Sequence, residues 1–293
     1  MPGSIFDLMK ERVVLLDGGL GTEFMSRGLP HGQCPELWNV ERPEIVLEIH
    51  RDYFKAGSDA VSTNSFGGNR IKLMAYGLEG RVSELNRASA RLAAGARPSG
   101  GFVAGSMGPT GKFLKPQGEY EEKEFEDAFA AQALALTEGG ADFLLIETMF
   151  DLREALCALR GAKRISALPV FVTLTFNRTP RGFFTLMGNS VGRCLGELEK
   201  NGAGTAGTNC TLNSSDMADL VLEMRKETSL PLIAQANAGQ PELSAVSGVT
   251  YSQGIEEYVR NVPRMIGNGA RIIGGCCGTD PEYIRRMAAL IKK

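Results

Sequence analysis

The sequence predicts an α/β chain closed into a (β/α)8 TIM barrel, and three observations carry that prediction. Short apolar runs of strand length alternate with amphipathic stretches of helix length, the alternation repeats eight times, and no second composition block divides the chain. At 293 residues, 43% of them hydrophobic and 36 of them glycine, the chain can bury a core of barrel size. One domain over residues 1–293 is the default.

The elements follow in order. The first apolar run, residues 13–16, ends at Asp17-Gly18-Gly19. A helix pattern over 43–56, opened by proline, leads to a run at 60–63 that ends at Asn64. The pattern over 81–96 leads to 102–105 and then Ser106-Met107-Gly108, and the pattern over 122–138 leads to 143–146 and then Glu147-Thr148. Helix patterns over 152–165 and 190–201 bracket the fifth run, 170–174, and the sixth, 205–208, ends at Asn209-Cys210. The pattern over 214–227 precedes 232–236 with Asn237-Ala238-Gly239, and that over 255–267 precedes 271–273 with Gly274-Gly275-Cys276-Cys277. A final pattern over 281–291 closes the chain. In a (β/α)8 barrel the functional groups sit at the C-terminal ends of the strands, so nearly every polar or reactive candidate falls on one rim.

Three of the six cysteines meet there. Cys210 follows the sixth run and Cys276-Cys277 the eighth, so only one strand separates them around the ring. Adjacent cysteines bridge each other poorly, because a disulfide needs its Cα atoms farther apart than one peptide step. Three converging thiols make a soft, negatively charged socket for zinc, with a fourth position open to substrate or water. The competing reading is two small apolar side chains delivered to a core. Gly274, Gly275 and Gly278 weigh against it, because a buried strand needs no sharp turn. Cys157 and Cys194 lie in helix patterns and read as packing, and Cys34, between Pro30 and Pro35, reads as a loop residue. Six cysteines are too sparse for a disulfide scaffold.

Asp17 and Glu147 directly follow apolar runs, which places two carboxylates on the same rim. They suit the ammonium group of an amino-acid substrate, since charge-assisted hydrogen bonds are the stronger kind. Helix capping or a salt bridge is the structural alternative, and acid–base work a further one. Backbone N–H groups at the glycines after Asp17, Gly19 among them, are candidates for a substrate carboxylate. A formal net charge of -2 gives no footprint for nucleic acid and no polybasic surface for a membrane. No apolar run has the length of a membrane span, and the N-terminus lacks a secretory stretch, so a cytoplasmic location is expected.

The blocks DGGLGTEF, AVSTNSFGGNRIKL, GSMGPTG, LIETMFD, GTNC, NAG and GGCCGT stand in the order and spacing of the homocysteine S-methyltransferase family. The chain resembles that family nearly end to end, and most of all its cobalamin-linked branch. The resemblance implies a (β/α)8 barrel in which Cys210, Cys276 and Cys277 hold zinc and the sulfur of L-homocysteine takes the open position. It maps the substrate-holding groups to Asp17 and Glu147, with Gly19 and Asn64 in the same blocks. It gives Asn237 as a fourth metal ligand until substrate displaces it. Two blocks depart from the family: Thr211-Leu212-Asn213-Ser214 replaces a frequent Gly-Pro pair, and Ala236 stands where proline is common. The rim loops, and with them the substrate side chain, are what those departures leave open.

The methyl donor is implied rather than read. The modules that would carry folate and corrinoid are expected to be separate, and neither His31 nor His50 makes a persuasive cobalt ligand. A corrinoid protein is therefore the expected partner, with cobalamin on it rather than on this chain. S-methylmethionine or another small sulfonium or ammonium donor is the alternative, as is a corrinoid-linked enzyme acting on a different thiol or methylated amine. A zinc-binding redox sensor is the non-catalytic rival, and such a sensor has no evident need of Asp17 and Glu147.

Overall fold

The computed structural model describes residues 3–244 and 248–292, so residues 1, 2, 245–247 and 293 of the expected domain lie outside it. Eight parallel strands form the sheet: β1 (Val14–Leu15), β2 (Ala60–Ser62), β3 (Phe102–Met107), β4 (Phe143–Met149), β5 (Val170–Leu174), β6 (Thr205–Asn209), β7 (Leu232–Ala236) and β8 (Ala270–Gly275). Each strand from β2 to β8 pairs with the next, and β8 returns to β1 through Val14↔Ile272 and Leu15↔Ile273. The (β/α)8 architecture expected from the alternation is the one observed.

Strand side chains alternate between two faces, and the barrel has a core on each. Inside lie Val14, Leu16, Ala60, Ala104, Phe143, Leu145, Phe171, Ile233 and Ile272. Outside, Leu15, Val61, Val103, Leu144, Ile146, Val172 and Ala234 pack against the helices. The helix Ile5–Glu11 closes the bottom, adding Ile5 and Met9 to the inner core, and Phe6 meets Phe171 edge-on at 5.6 Å. Its start is fixed by a capping box in which Ser4 and Asp7 exchange hydrogen bonds.

Several expected bounds shift. Strands β3, β4, β6 and β8 run past the apolar residues to Met107, Met149, Asn209 and Gly275, because the parallel ladder continues into polar sequence. The helix read over 255–267 is two pieces, Ile255–Arg260 and Val262–Gly267, broken where Pro263 has no N–H to continue the first helix. The helices Ile5–Glu11 and Leu20–Ser26 are additions to the eightfold pattern, as are the hairpins Asn177–Thr179/Gly182–Phe184 and Pro241–Ser244/Gly248–Tyr251. These insertions are too short for periodicity to register. Cys157 and Cys194 are buried packing residues, as expected, and Cys34 is buried too, its thiol donating to Glu36 Oε2 at 3.0 Å. Among the described residues no helix is long and apolar enough to cross a membrane.

No backbone ladder joins β1 to β2. One backbone bond, from the Asp59 N–H to the Leu15 carbonyl at 2.6 Å, and two carboxylates close that seam. Asp59 accepts the Leu15 N–H at 2.9 Å, two guanidinium bonds from Arg12 at 2.7 Å each, and Lys292 Nζ at 2.6 Å. Burial works against its charge, and the Arg12 and Lys292 hydrogen bonds outweigh it, so its carboxyl lies below the usual range. A depressed carboxyl contributes stability above its unfolded value and loses it as pH falls through the folded one. We expect Asp59→Ala to lower stability by about 2–3 kcal/mol at pH 7, chiefly by stranding the buried Leu15 N–H. The gap to the parent protein should shrink below about pH 4. Equal urea midpoints at pH 7 would contradict this role.

Candidate active site

Along each strand the inward residues pass from apolar to polar toward the C-terminal end. Every second residue upward gives Ala60 then Ser62, Ala104 then Ser106, Leu145 then Glu147, Gly207 then Asn209, Ile233 then Gln235, and Gly274 then Cys276. A cavity of about 480 Å³ opens over this polar ring. Asp17, Gly19, Asn64, Glu147, Cys210, Cys276 and Cys277 all line it, and Asn237 lies beside Cys210.

The three sulfurs lie within 4.8 Å of one another, with Cys210 Sγ 3.8 Å from Cys277 Sγ. Cys210 reaches the cluster because its backbone turns left-handed at φ 63° just past β6, followed by Thr211 at φ 58°. Such angles cost about 1–3 kcal/mol in non-glycine residues and persist only where the surroundings enforce them. Here the Cys210 N–H is held by the Gln235 carbonyl at 3.0 Å and the Thr211 hydroxyl by the Phe176 carbonyl at 2.9 Å. Cys276 and Cys277 turn out of β8 over two tightly packed glycines. A Cβ on Gly275 would stand 2.1 Å from Thr279 Oγ1, and one on Gly278, at φ 81°, 2.3 Å from the Tyr251 ring.

The thiols behave as one titrating group. Hydrogen bonds from the Cys276 and Cys277 thiols pull Cys210 well below the usual thiol range against the cost of its burial, while sharing protons with Cys210 pushes Cys276 and Cys277 up. Asn237 is buried beside them with its Oδ1 unpartnered among the described residues. Three soft sulfurs and one idle amide oxygen are a donor set that a tetrahedral metal would fill.

The two carboxylates line the same cavity. Asp17 accepts the Ser62 N–H at 2.7 Å and the Ser62 hydroxyl at 3.0 Å, which also stitches the upper part of the β1–β2 seam. Glu147 accepts the Ser106 hydroxyl. Burial pushes both carboxyls up to about 7, and for Glu147 the nearby Asp17 adds to the rise. Each carboxylate keeps free lone pairs for a further donor.

One expectation needs correction, and a second gains its geometry. The Gly19 N–H is already donated to the Thr279 carbonyl at 3.1 Å, so Gly19 forms cavity wall without offering a free donor. Asn64 directs its Nδ2 inward to the Pro35 carbonyl at 2.8 Å and Asn39 Oδ1 at 3.0 Å, which leaves Oδ1 as the atom available to the cavity. Two residues stand out to which the sequence reading gave no role. Asn209 joins Glu147, Thr148 and Cys276 through one amide, and Gln235 lines the cavity with its Oε1 unpartnered among the described residues. Strand parity was the signal for both, because each occupies the last inward position of its strand.

Residues 14–291 match the family model described as homocysteine S-methyltransferase. The chain is 33% identical over 307 residues to methionine synthase of Mycobacterium tuberculosis, covering 98% of this chain and 25% of that protein. It is 32% identical over 309 residues to methionine synthase of Mycobacterium leprae, covering 99% of this chain and 25% of that one. It thus spans about a quarter of the length of these relatives. Among solved structures, the metallated form of the homocysteine methyltransferase MmuM from Escherichia coli superposes with a TM-score of 0.78 at 25% identity, covering 98% of this chain and 99% of that one. On the match over residues 14–291, the chain belongs to the homocysteine S-methyltransferase family.

Proposed function

We propose that residues 1–293 act as one barrel domain that methylates the sulfur of L-homocysteine to give methionine. The observation that carries this reading is the convergence of three sulfurs and two buried carboxyls on one cavity, a socket for a thiolate facing a socket for an ammonium. Cys210, Cys276 and Cys277 would hold a zinc ion, with Asn237 Oδ1 as fourth ligand in the absence of substrate. When bound, zinc supplies a redox-inert Lewis acid that takes the substrate sulfur as a thiolate at neutral pH.

The protein's own residues supply the rest. Asp17 and Glu147 receive the ammonium and orient the amino acid, and Ser62 and Ser106 hold those carboxylates in place. The mostly apolar flank of the cavity, with Leu20, Phe24, Met25 and Phe66, limits water around the attacking sulfur. The methyl group would come from methylcobalamin carried on another domain or on a corrinoid protein. The two methionine synthases, about four times the length of the matched region, support that donor. A small donor such as S-methylmethionine is the second reading, supported by the match to 99% of the length of the E. coli homocysteine methyltransferase.

Zinc-loaded protein given L-homocysteine should form methionine from methylcobalamin, and comparison with S-methylmethionine decides between the donors. Cys276→Ala should abolish turnover and weaken zinc binding by more than about tenfold. Full turnover with zinc retained in that variant would refute the ligand set. The carboxyls give a second test. A cation binds the ionised forms of Asp17 and Glu147, so affinity for an ammonium should rise with pH through about 7 and level off above it. Titration with L-methionine, which brings an ammonium but no thiol proton, should show binding about tenfold tighter at pH 8 than at pH 6. Equal affinities would remove Asp17 and Glu147 from the ammonium site.

A further inference from the structure

Asn209 lies between the two halves of the site. Its Oδ1 accepts the Thr148 N–H at 2.8 Å and the Thr173 hydroxyl at 2.8 Å. A backbone N–H can only donate, so this contact fixes which way the amide faces. The Nδ2 group then points at Thr148 Oγ1 at 2.7 Å, Glu147 Oε2 at 3.5 Å and Cys276 Sγ at 3.8 Å. One side chain thus touches both a carboxylate of the ammonium socket and a sulfur of the thiolate socket.

The same amide holds the residue next to Glu147. Thr148 sits at φ 61°, a left-handed angle that a β-branched residue seldom adopts, and both its N–H and its hydroxyl bond to Asn209. That two-point clamp fixes the direction in which Glu147 leaves β4. Asn209 is itself fully buried and anchored by Thr173 on the neighbouring strand β5, so the bridge is stiff. Glu147 Oε2 and Cys276 Sγ can lie no farther apart than the two Nδ2 contacts laid end to end.

We propose that Asn209 is a positioning residue that sets the span between the ammonium site and the metal sulfurs, and so selects the substrate by chain length. The proposal rests on the functional reading above and deepens it. An amino thiol must bridge a fixed gap with its own carbons, so a bridge tuned to two methylenes between Cα and sulfur disfavours the shorter cysteine. One methylene in a defined pocket is commonly worth about 10–200-fold in selectivity. Loosening the bridge lets the gap adjust, and the preference for homocysteine over cysteine falls.

The test uses Asn209→Ala and Asn209→Asp in the whole chain. The aspartate keeps an acceptor for the Thr148 N–H and the Thr173 hydroxyl while removing the donors to Glu147 and Cys276, so it remains informative if the alanine variant folds poorly. Two readouts are taken after metal content and melting temperature. The first is the ratio of kcat/KM for L-homocysteine to that for L-cysteine. The second needs no turnover: cobalt is loaded in place of zinc, and the thiolate-to-cobalt absorption is titrated with each amino thiol. We expect both variants to keep metal, to bind homocysteine more weakly, and to lose about tenfold of the selectivity ratio in both assays. An unchanged ratio with metal retained would overturn the proposal, even if overall activity dropped. A parent protein whose cobalt spectrum ignores both thiols would overturn the functional reading, and this proposal with it.

Discussion

The polar floor of the site depends on the period-2 alternation of the barrel strands. A parallel strand buried on both faces offers alternate residues to the interior, and the interior narrows to a dry floor built from Phe143, Phe171, Leu145 and Ile233. Above that floor the same inward column carries Ser62, Ser106, Glu147, Asn209, Gln235 and Cys276. Shifting the strands that carry Ser62, Glu147 or Gln235 by one residue toward their C-terminal ends would turn each functional group toward the helices and bring Val61, Ile146 or Ala234 over the cavity. Site and fold therefore share one register.

Burial then supplies the electrostatics. Two carboxyls with few charged partners rise to about 7, because burial disfavours two full charges in one cavity. The cysteines solve the same problem differently, by sharing protons among three sulfurs, with the least costly charge on Cys210. A metal held by Cys210, Cys276 and Cys277 would take them as thiolates in place of those shared protons and would supply a counter-charge. Strain is confined to the same place: the non-glycine residues with left-handed backbone among those described are Thr148, Cys210 and Thr211. Each stands beside a group assigned to substrate or metal.

The barrel was legible because eight apolar runs alternate with amphipathic helices. The rim was legible because reactive residues follow those runs. Cys210, Cys276 and Cys277 converge as the strand count implied, and Asp17, Asn64 and Glu147 share their cavity. What escaped the sequence depends on contacts at long separation. Nothing local says that the Gly19 N–H is taken by Thr279, 260 residues away, or that Asn209 bonds Thr148, 61 residues earlier. The break at Pro263 could have been read from proline chemistry, whereas the hairpins over 177–184 and 241–251 are loop insertions whose shape comes from packing on the rim.

The central claim is that three cysteines of this chain and the sulfur of homocysteine meet on one zinc ion. Zinc X-ray absorption on the metal-loaded protein, with and without L-homocysteine, tests it most directly, because zinc–sulfur and zinc–oxygen or –nitrogen distances differ by about 0.2–0.3 Å. The result expected is three sulfur neighbours and one light atom in the protein alone, becoming four sulfurs when homocysteine is added. A light-atom shell that persists with homocysteine bound, or fewer than three sulfurs at the outset, would contradict it.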